Sequence, residues 1–294
     1  SEVFSPNGDD NKDTITFYQE TSREELWTAV IADARGQIVK SFSWRENAES
    51  VIAWDGRGDT GALSPDGVYE YAIRSTDRAG NTGSSPKIMF RLSTEETPVF
   101  LTVDLDAFSP NADGVKDRVR ITPQLRVTDG ISSYELLVKD AAGTTVRSFT
   151  GRGRTESVFV WDGLSNDGKR LPDGRYRAEI RILYENGNTP SARSGEFLLD
   201  TTAPKAAVTA DRKLFSPDGD GSKDTVTFTQ TVSTEEIWEG KIISAYGSVV
   251  RNYFWKGTAP TLTWDGTDEA GNRAPDGVYR YELSSADTAG NSVK

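Results

Sequence analysis

One block of sequence occurs three times along this chain, and this repetition constrains the fold more than any other feature. The block reads FSPNGDDNKDTITF from Phe4, FSPNADGVKDRVRI from Phe108 and FSPDGDGSKDTVTF from Phe215. Successive copies begin 104 and 107 residues apart. Because about 100 residues is an ordinary length for one domain, the repetition predicts three domains rather than one large one.

A second shared segment follows each copy and stays in register with the first. It begins with WDG at Trp54, Trp161 and Trp264, passes through PDG-x-Y and ends in Gly-Asn. We therefore divide the chain into predicted repeats at residues 1–96, 97–201 and 202–294, called the first, second and third repeat.

Each copy alternates apolar and polar residues with a period of two and is rich in β-branched and aromatic residues. In the third repeat this pattern predicts strands at 205–209, 225–232, 237–244, 249–255, 261–264 and 278–286. A seventh strand is expected after the Gly-Asn, as PKIMFRLS and ARSGEFLLD in the first two repeats. About seven strands in roughly 105 residues is typical of an immunoglobulin-like sandwich. We predict an all-β chain of three tandem immunoglobulin-like (fibronectin III-like) β-sandwich repeats.

The two outer repeats are incomplete in this pattern. The first lacks the strand before its FSP motif, and the third stops at NSVK before its last strand. We interpret the chain as a segment of a longer array, in which its partners are neighbouring repeats of the same polypeptide. The alternative is that a neighbouring chain completes the edges by strand addition.

Composition narrows the function. A net charge of -11 repels phosphate backbones and anionic lipid, so neither nucleic-acid binding nor membrane insertion is expected. No apolar run approaches the ~18 residues of a membrane-spanning helix. The chain has no His and no Cys, which removes disulfides, thiolate metal sites and the usual general base. Since the recurring acids lie in turns of a repeated scaffold, we expect no catalytic residues and no enzyme.

The acidic turn after each FSP motif is the strongest candidate site. Oxygen-bearing side chains recur at positions 1, 3 and 7 of this turn, and closely spaced carboxylates suit a hard cation such as calcium. The candidate ligands are Asn7, Asp9, Asp13, Asn111, Asp113, Asp117, Asp218, Asp220 and Asp224. The alternative is a cation-free turn, in which the acids accept backbone N–H bonds.

Two features complicate the calcium hypothesis. Position 5 of the second loop is Val115, which could offer a cation only its backbone carbonyl. In the first loop, Asp10 stands where the others have Gly114 and Gly221, and glycine is the residue that most easily adopts positive φ.

Sandwich topology predicts where the acidic loops lie. The loop after the first strand and the end of the last strand share one pole, and the hairpin ending in Gly-Asn lies at the other. Each acidic loop should therefore face the next repeat, including Glu235, Glu236 and Asp287 in the third. We hypothesise that bound calcium stiffens these joints.

Aromatic residues supply an alternative site. Trp44 and Trp255 align with Gly151, so the fold does not require an aromatic residue there. With Tyr253 they are candidates for stacking on a sugar ring or a protein partner, although packing between domains is the competing interpretation.

Other motifs have structural explanations. The tryptophans of WDG end a strand in every copy and should pack in the cores. RGD at Arg57–Asp59 aligns with unrelated residues in the other repeats, so it is expected to be a polar turn. Asp77 and Asp287, with Glu185 aligned to them, should start tight turns that end in Gly-Asn.

The combination of FSPNGDG, WDG, PDG-x-Y and D-x-AGN resembles the bacterial Ig-like repeat of flagellar hook-capping proteins and of large surface proteins of spirochaetes and Bacteroidetes. This resemblance covers nearly the whole chain and implies a bacterial extracellular, cell-surface or periplasmic location. It implies a structural spacer or stalk, with a subunit of a flagellar or surface assembly as a further possibility. An adhesion module that binds a surface glycan or a protein is the alternative.

Overall fold

The structure, a computed structural model, describes residues 2–294. All regular secondary structure in this range is β, in 24 strands, so the predicted all-β fold is confirmed. Hydrogen-bonded strands pair within a repeat and not between repeats. No helix of the described residues is long and apolar enough to cross a membrane.

The first repeat is a six-stranded sheet packed on a two-stranded one. The strands are β1 (Glu2–Phe4), β2 (Ile15–Tyr18), β3 (Glu24–Asp33), β4 (Ile38–Glu46), β5 (Val51–Trp54), β6 (Gly67–Thr76), β7 (Thr82–Ser84) and β8 (Ile88–Leu92). The larger sheet has the order β1-β8-β6-β3-β4, with β7 also paired to β6, and β2 pairs with β5.

The second repeat has the same larger sheet and one more strand in the smaller. The strands are β9 (Val99–Val103), β10 (Ala107–Phe108), β11 (Val119–Leu125), β12 (Ile131–Asp140), β13 (Thr145–Arg152), β14 (Phe159–Trp161), β15 (Gly174–Tyr184), β16 (Ser191–Arg193) and β17 (Phe197–Leu199). Their orders are β10-β17-β15-β12-β13, with β16 on β15, and β14-β11-β9.

The third repeat has a four-stranded and a three-stranded sheet. The strands are β18 (Ala206–Ala210), β19 (Val226–Val232), β20 (Glu235–Ser244), β21 (Val249–Gly257), β22 (Leu262–Trp264), β23 (Tyr279–Ala286) and β24 (Ser292–Val293). Their orders are β21-β20-β23-β24 and β18-β19-β22. The six strands predicted here are all present, with ends shifted by at most two residues.

Alternation of side chains along the strands builds each core. On β6, Tyr69, Tyr71 and Ile73 are buried while the residues between them are more exposed, as expected for a strand with one face on the core. The WDG tryptophans Trp54, Trp161 and Trp264 are at most 2% exposed, which confirms their predicted core role. Each indole N–H donates to the carbonyl three residues later at 2.8 to 2.9 Å, so the same side chain fixes the following loop.

The strand after Gly-Asn differs from its prediction because it is divided in two. In the first two repeats a short strand, β7 or β16, pairs with the hairpin, and a second, β8 or β17, continues after a bend. Ser85 and Ser194 lie at this bend, and each hydroxyl accepts a backbone N–H from the neighbouring strand. The second strand pairs in parallel with the FSP strand, β1 or β10. The boundaries between the repeats stay predictions.

Candidate functional site at the joints between repeats

The three acidic loops, residues 7–13, 111–117 and 218–224, share one backbone conformation. Positions 2, 4 and 6 of every loop have positive φ, between 48° and 89°. Alternation of this kind turns successive backbone N–H groups toward the inside of the turn, where they form a concave anion site known as a nest. In the first loop Asp10 takes positive φ (63°) at the position of Gly114 and Gly221, so glycine is not required there.

The carboxylate at position 7 occupies this nest. In the second loop, Asp117 accepts the N–H groups of Ala112 at 2.6 Å and Gly114 at 2.9 Å, one on each oxygen. Asp13 and Asp224 accept the equivalent pairs at 2.7 to 2.9 Å. These two carboxylate–amide bonds in each loop, six in the three loops, offset part of the repulsion between the clustered acids, because each N–H dipole points at a negative oxygen.

Positions 1 and 3 close the rest of the turn. The side-chain oxygen at position 1 accepts the N–H of position 3 at 3.0 to 3.2 Å in every loop. The carboxylate at position 3 accepts the N–H of position 5 at 2.7 to 3.0 Å. The candidate ligands are therefore brought together as predicted, and the same oxygens that a cation would use also organise the backbone.

The first acidic loop contacts the second repeat. Asn7 Nδ2 donates to Asn188 Oδ1 at 3.0 Å, and Lys12 Nζ donates to the carbonyl of Glu185 at 2.8 Å. Asn188 then donates through Nδ2 to the carbonyl of Glu95 in the linker, at 2.8 Å. A single asparagine of the second repeat, 7% exposed, thus joins the acidic loop to the linker.

The second joint repeats this arrangement between the second and third repeats. Asn111 Nδ2 donates to Asn291 Oδ1 at 3.2 Å, and Lys116 Nζ donates to the carbonyl of Thr288 at 2.7 Å. Asn291 donates to the carbonyl of Asp200 in the linker at 2.8 Å and is 2% exposed. The joints therefore use the same loop positions and the same hairpin asparagine.

The packing between loop and hairpin is close enough to require glycine. A Cβ on Gly187, where φ is +100°, would lie 2.6 Å from the carbonyl oxygen of Asn11. A Cβ on Gly290, where φ is +98°, would lie 2.8 Å from Val115 Cγ1. Position 5 of the acidic loop, at which Val115 has no side-chain oxygen to offer a metal, thus packs against the next repeat.

The alignment of Glu185 with Asp77 and Asp287 is wrong. The three hairpin turns lie at residues 77–81, 184–188 and 287–291. Tyr184, not Glu185, starts the turn of the second repeat, because the backbone N–H of Tyr184 donates to the carbonyl of Asn188. The backbone N–H groups of Asp77 and Asp287 donate in the same way to the carbonyls of Asn81 and Asn291. Glu185 lies one position later and contributes its carbonyl to the joint.

The aspartates that start the other two turns accept bonds from their own Gly-Asn. Asp77 accepts the side-chain and backbone N–H groups of Asn81 at 2.8 Å each, and these bonds lower the pKa of Asp77. Asp287 accepts both equivalent bonds from Asn291 at 2.8 to 2.9 Å. The turn interpretation is therefore confirmed for both aspartates.

The acids expected at the second joint divide into two groups. Asp287 belongs to the turn that meets the second repeat, and it lies near Asp200 of the linker. Burial, together with the charges of Asp287 and Asp173, raises the pKa of the Asp200 carboxyl above its usual value. Glu235 instead accepts the Ser233 hydroxyl at 2.6 Å inside the third repeat, and no bond joins Glu236 to the acidic loop within the described residues. Of Glu235, Glu236 and Asp287, which were expected to face the acidic loop of the second repeat, only Asp287 belongs to the turn that meets it.

The third acidic loop differs from the others in position 1. Asp218, Asp220 and Asp224 place one oxygen each within 4.8 Å of one another. In the other loops, the Asn7 and Asn111 amides donate to the position-3 carboxylate at 3.2 and 3.0 Å and to the next hairpin. Asp218 has no N–H to donate, so an extra negative charge replaces the amide that bridges the other joints.

The aromatic residues predicted as a binding site lie on equivalent edge strands of two separate sheets, in the first and third repeats, and are partly buried. Trp44 on β4 stacks on Phe42 with centroids 5.9 Å apart, and Trp255 on β21 stacks on Tyr253 at 5.8 Å. Trp44, Tyr253 and Trp255 are half-buried and pack against the cores of their repeats. Phe254 between the latter two faces solvent, 65% exposed.

Cross-strand pairing explains why the second repeat has glycine there. Trp44 pairs with Trp27 and Trp255 with Trp238, whereas Gly151 pairs with Tyr134. A Cβ on Gly151 would collide with the Tyr134 hydroxyl oxygen, so the tyrosine ring covers the glycine. The residue at this position therefore packs against its cross-strand partner in every repeat: tryptophan against tryptophan in the first and third, and glycine under tyrosine in the second.

The RGD triplet lies in the loop after Trp54. Arg57 donates to the Gly61 carbonyl at 3.0 Å, and Asp59 accepts the N–H of Ser41 at 3.2 Å. Both charged residues are thus engaged in a polar turn, as predicted.

Comparison with known families agrees with this architecture. The profile described as the FlgD Ig-like domain matches residues 1–79 and 109–183, together more than half of the chain. The chain belongs to the FlgD Ig-like domain family. The two segments that match the FlgD Ig-like domain include the first two acidic loops and the WDG tryptophans Trp54 and Trp161. No curated protein matches the chain significantly.

Solved structures resemble the FlgD Ig-like chain over most of its length but at low identity. A tetra-tandem repeat in the extending region of a large adhesion protein is 19% identical, covering 98% of this chain and 71% of that one, with a TM-score of 0.30. A structure of a 1.5-MDa bacterial ice-binding adhesin is 14% identical, covering 95% of this chain and 87% of that one, with a TM-score of 0.33. Fibronectin(III)-like modules of Clostridium thermocellum CbhA are 13% identical over 68% and 90%, with a TM-score of 0.35.

Sequence reasoning missed the residues that hold the joints. The sequence pattern predicts only that Gly-Asn, which includes Asn188 and Asn291, ends each turn, and it assigns no role to the loop lysines Lys12 and Lys116. A signal was present, since lysine occupies position 6 in all three loops and Gly-Asn ends all three turns.

Proposed function

We propose that the chain is a structural spacer or stalk segment of a bacterial extracellular or periplasmic multidomain protein. The observation that carries this proposal is the repeated docking of an acidic loop on the Gly-Asn turn of the next repeat. Equivalent hydrogen bonds at both joints fix the orientation of each repeat relative to the next. A spacer needs a defined length, and docked repeats keep their relative orientation where free linkers would not.

Tethering explains how so small a contact can hold. The hydrogen bonds at each joint are few and polar, and so few contacts would not hold separate molecules together. A short linker raises the effective concentration of the partner surfaces to about the millimolar range. Small-angle X-ray scattering is the test: one arrangement of the repeats should fit the curve of the whole chain. Repeats that move independently would instead require a broad ensemble, which would contradict the spacer proposal.

We also propose that calcium binds the acidic loops and stiffens them. Closely spaced carboxylate and amide oxygens support this proposal. The third loop supports it most, because it has carboxylates at all of positions 1, 3 and 7, and one oxygen of each lies within 4.8 Å of the others. The residues that would hold the cation there are Asp218, Asp220 and Asp224. Their backbone bonds leave further lone pairs on each carboxylate for a hard cation.

Melting curves with about 2 mM calcium and with chelator test the cation. Extracellular sites of this type have a Kd of about 0.1 to 1 mM, so calcium should stabilise the third repeat by about 0.6 to 1.8 kcal/mol. Isothermal titration calorimetry should give a matching affinity.

The matched control is Asp218→Asn, because Asn7 and Asn111 occupy the same position in loops of the same shape. This variant should fold as well as the parent in chelator, and its third loop should bind calcium more weakly than in the parent, because an amide oxygen replaces a charged carboxylate oxygen. Calcium binding is contradicted if the parent shows no shift, and its assignment to this loop is contradicted if the variant responds equally.

A second candidate function is adhesion through the aromatic edge. The parallel stacks of Phe42 with Trp44 and of Tyr253 with Trp255, with interplanar angles of 2° and 4°, are the observation that favours it. Flat aromatic surfaces of this kind can stack on sugar rings or on a protein partner.

Replacing Trp255 by alanine separates the two functions. Because Trp255 is half-buried and stacked, we expect the third repeat to lose about 1 to 2 kcal/mol of stability. For a spacer, glycan and matrix-protein arrays should retain neither the parent nor the variant. Retention of the parent that is lost in a folded Trp255→Ala variant would favour adhesion, and Trp44→Ala in the first repeat would show whether both stacks contribute to it.

A further inference from the structure

The outer face of the larger sheet in the second repeat is cationic. Buried and more exposed side chains alternate along β12 and β15, so one face of each strand points away from the core. The cations on this face are Lys139, Arg152, Arg175, Arg177, Arg181 and Arg193. Its acids are Glu135, Glu179 and Glu196. We call this surface the cationic face, and it contrasts with the net charge of -11 of the whole chain.

Glu179 lies on β15 among three of these cations. It accepts a hydrogen bond from Lys139 Nζ, and its Oε1 lies 2.5 Å from Arg193 Nε and 4.0 Å from Arg177 Nε. The bond from Lys139 is the main cause that holds the pKa of Glu179 below its usual value, so this carboxyl is ionised at neutral pH. One negative charge against three positive ones leaves an excess of two positive charges. Arg177 Nε is also buried without a hydrogen-bond partner among the described residues.

Two further arginines extend this cluster toward the first joint. Arg181 follows Glu179 by two residues on β15, and Arg152 lies on the edge strand β13. Both are exposed and line a groove of about 590 Å³, together with the acid Glu135. Within residues 2–294 neither side chain forms a salt bridge. Their guanidinium groups are therefore available to bind a carboxylate with two N–H donors each.

The sandwich fold does not require this charge, because the other repeats lack it. In place of Arg175, Arg177 and Arg181, the first repeat has Val68, Glu70 and Arg74. The third repeat has Val278, Arg280 and Ser284 at the same distances from its PDG motif. Arginine at all three positions is thus a property of the second repeat, and a role beyond folding explains it.

The shape and chemistry of the cationic face favour a linear acidic polysaccharide. Residues 175–181 of one strand form a row about 20 Å long, which suits a chain of regularly spaced carboxylates. The apolar side chains on this face include Leu137, Leu183 and Leu198 but no aromatic residue, whereas the centre of a protein interface is typically apolar and rich in aromatic residues. Duplex DNA has one charge per roughly 1.7 Å, so the acidic remainder of the chain repels it more strongly than a polymer with one carboxylate per sugar.

We propose that the cationic face is a binding site for a linear acidic polysaccharide, recognised through the carboxylates of its uronic acid sugars. Arg152, Arg175 and Arg181 bind carboxylates directly, and Glu179 positions the cations around it. The site is separate from the stacked aromatic residues of the first and third repeats. It shares no charged residue with the joints, so it is independent of the spacer proposal.

Titration of the whole chain with hexagalacturonate tests the site. The buffer is calcium-free, so that no cation bridges the sugar to the acidic loops. At about 50 mM salt we expect one oligosaccharide per chain with a Kd on the order of 0.1 to 1 mM. Amide NMR shifts should be confined to β12, β13, β15 and β16. Raising the salt to about 0.5 M should weaken binding at least about tenfold, because salt screens exposed charges. Maltohexaose, which is neutral and of the same length, should not bind.

Replacing Arg177 and Arg181 together by glutamine should weaken binding at least about tenfold. The matched control is Arg74→Gln with Arg280→Gln, which removes the same charge from aligned positions in the other repeats and should bind as the parent does. Arg175→Gln with Arg181→Gln is a second test pair, in which both side chains are exposed and folding is not at risk.

Four outcomes would each overturn the polysaccharide site: no binding of hexagalacturonate up to about 5 mM, equal binding of maltohexaose, tighter binding of duplex DNA, or an equal loss in the test and control pairs. A chain whose repeats are docked in scattering but which ignores hexagalacturonate would leave the spacer proposal intact.

Discussion

Replacing Trp161 by alanine is expected to unfold the second repeat at a temperature at least about 15 °C below that of the parent. Trp161 is fully buried and packs edge-on against Tyr176 and Phe197, with centroids 5.1 and 5.9 Å away. Truncation of a buried tryptophan costs about 3 to 5 kcal/mol. That is a large fraction of the roughly 5 to 10 kcal/mol that stabilises a domain of this size.

The measurement is differential scanning calorimetry, which separates transitions of repeats that unfold independently. Trp161→Phe is the control, because it keeps an aromatic ring and removes the indole N–H bond to the Leu164 carbonyl. We expect it to lose about 1 to 2 kcal/mol. A loss below about 1 kcal/mol in Trp161→Ala would contradict the core role of the WDG tryptophan.

Replacing Gly187 by alanine is expected to separate the first two repeats without unfolding either. The new Cβ would lie 2.6 Å from the Asn11 carbonyl oxygen, and a backbone atom cannot move aside without displacing the acidic loop. The displacement breaks the bonds that Asn7 and Lys12 make to the second repeat. Small-angle scattering should then show a wider range of inter-repeat distances than in the parent.

Gly80→Ala is a matched control for the backbone strain. Gly80 has the same place in the turn of the first repeat, with φ of +88°, but nothing lies within 4 Å of its Cβ position. Both variants therefore carry the cost of positive φ, about 1 kcal/mol, and only Gly187→Ala adds the collision. Identical scattering curves for the two variants would show that the contact does not orient the repeats.

Gly290→Ala should have a weaker effect on the second joint. Its Cβ would meet a valine methyl group rather than a carbonyl, and a side chain can rotate away. At the second joint the equivalent backbone carbonyl, that of Val115, would lie 3.6 Å from the Gly290 Cβ, so only the valine side chain would have to move. The order of effects, first joint above second, is thus part of the expected result.

The shape of the acidic loops was only partly predictable. Spacing of the acids indicated that they share one turn, and the structure brings them together around backbone N–H groups. The sequence left open whether their charge needs a cation, because that depends on how many N–H dipoles each oxygen meets. Positive φ at Asp10 and the loop lysines follows from these bonds, and local propensity alone would not place such residues there.

The sequence by itself determined the number of repeats, their β-sandwich type and the aromatic core positions. These features depend on local alternation and on repetition, which are written along the chain and need no knowledge of distant contacts. The strand order expected for a sandwich also predicts that the acidic loops lie at the pole that faces the next repeat.

Only the tertiary structure decided which side chains join the repeats. Asn7 and Asn188 are 181 residues apart, and their bond depends on the angle between two domains, which no local pattern encodes. The same holds for Gly151, because only the structure shows that Tyr134 lies opposite it on the neighbouring strand. Contacts between distant segments depend on packing geometry, so their partners emerge only when the whole chain is folded.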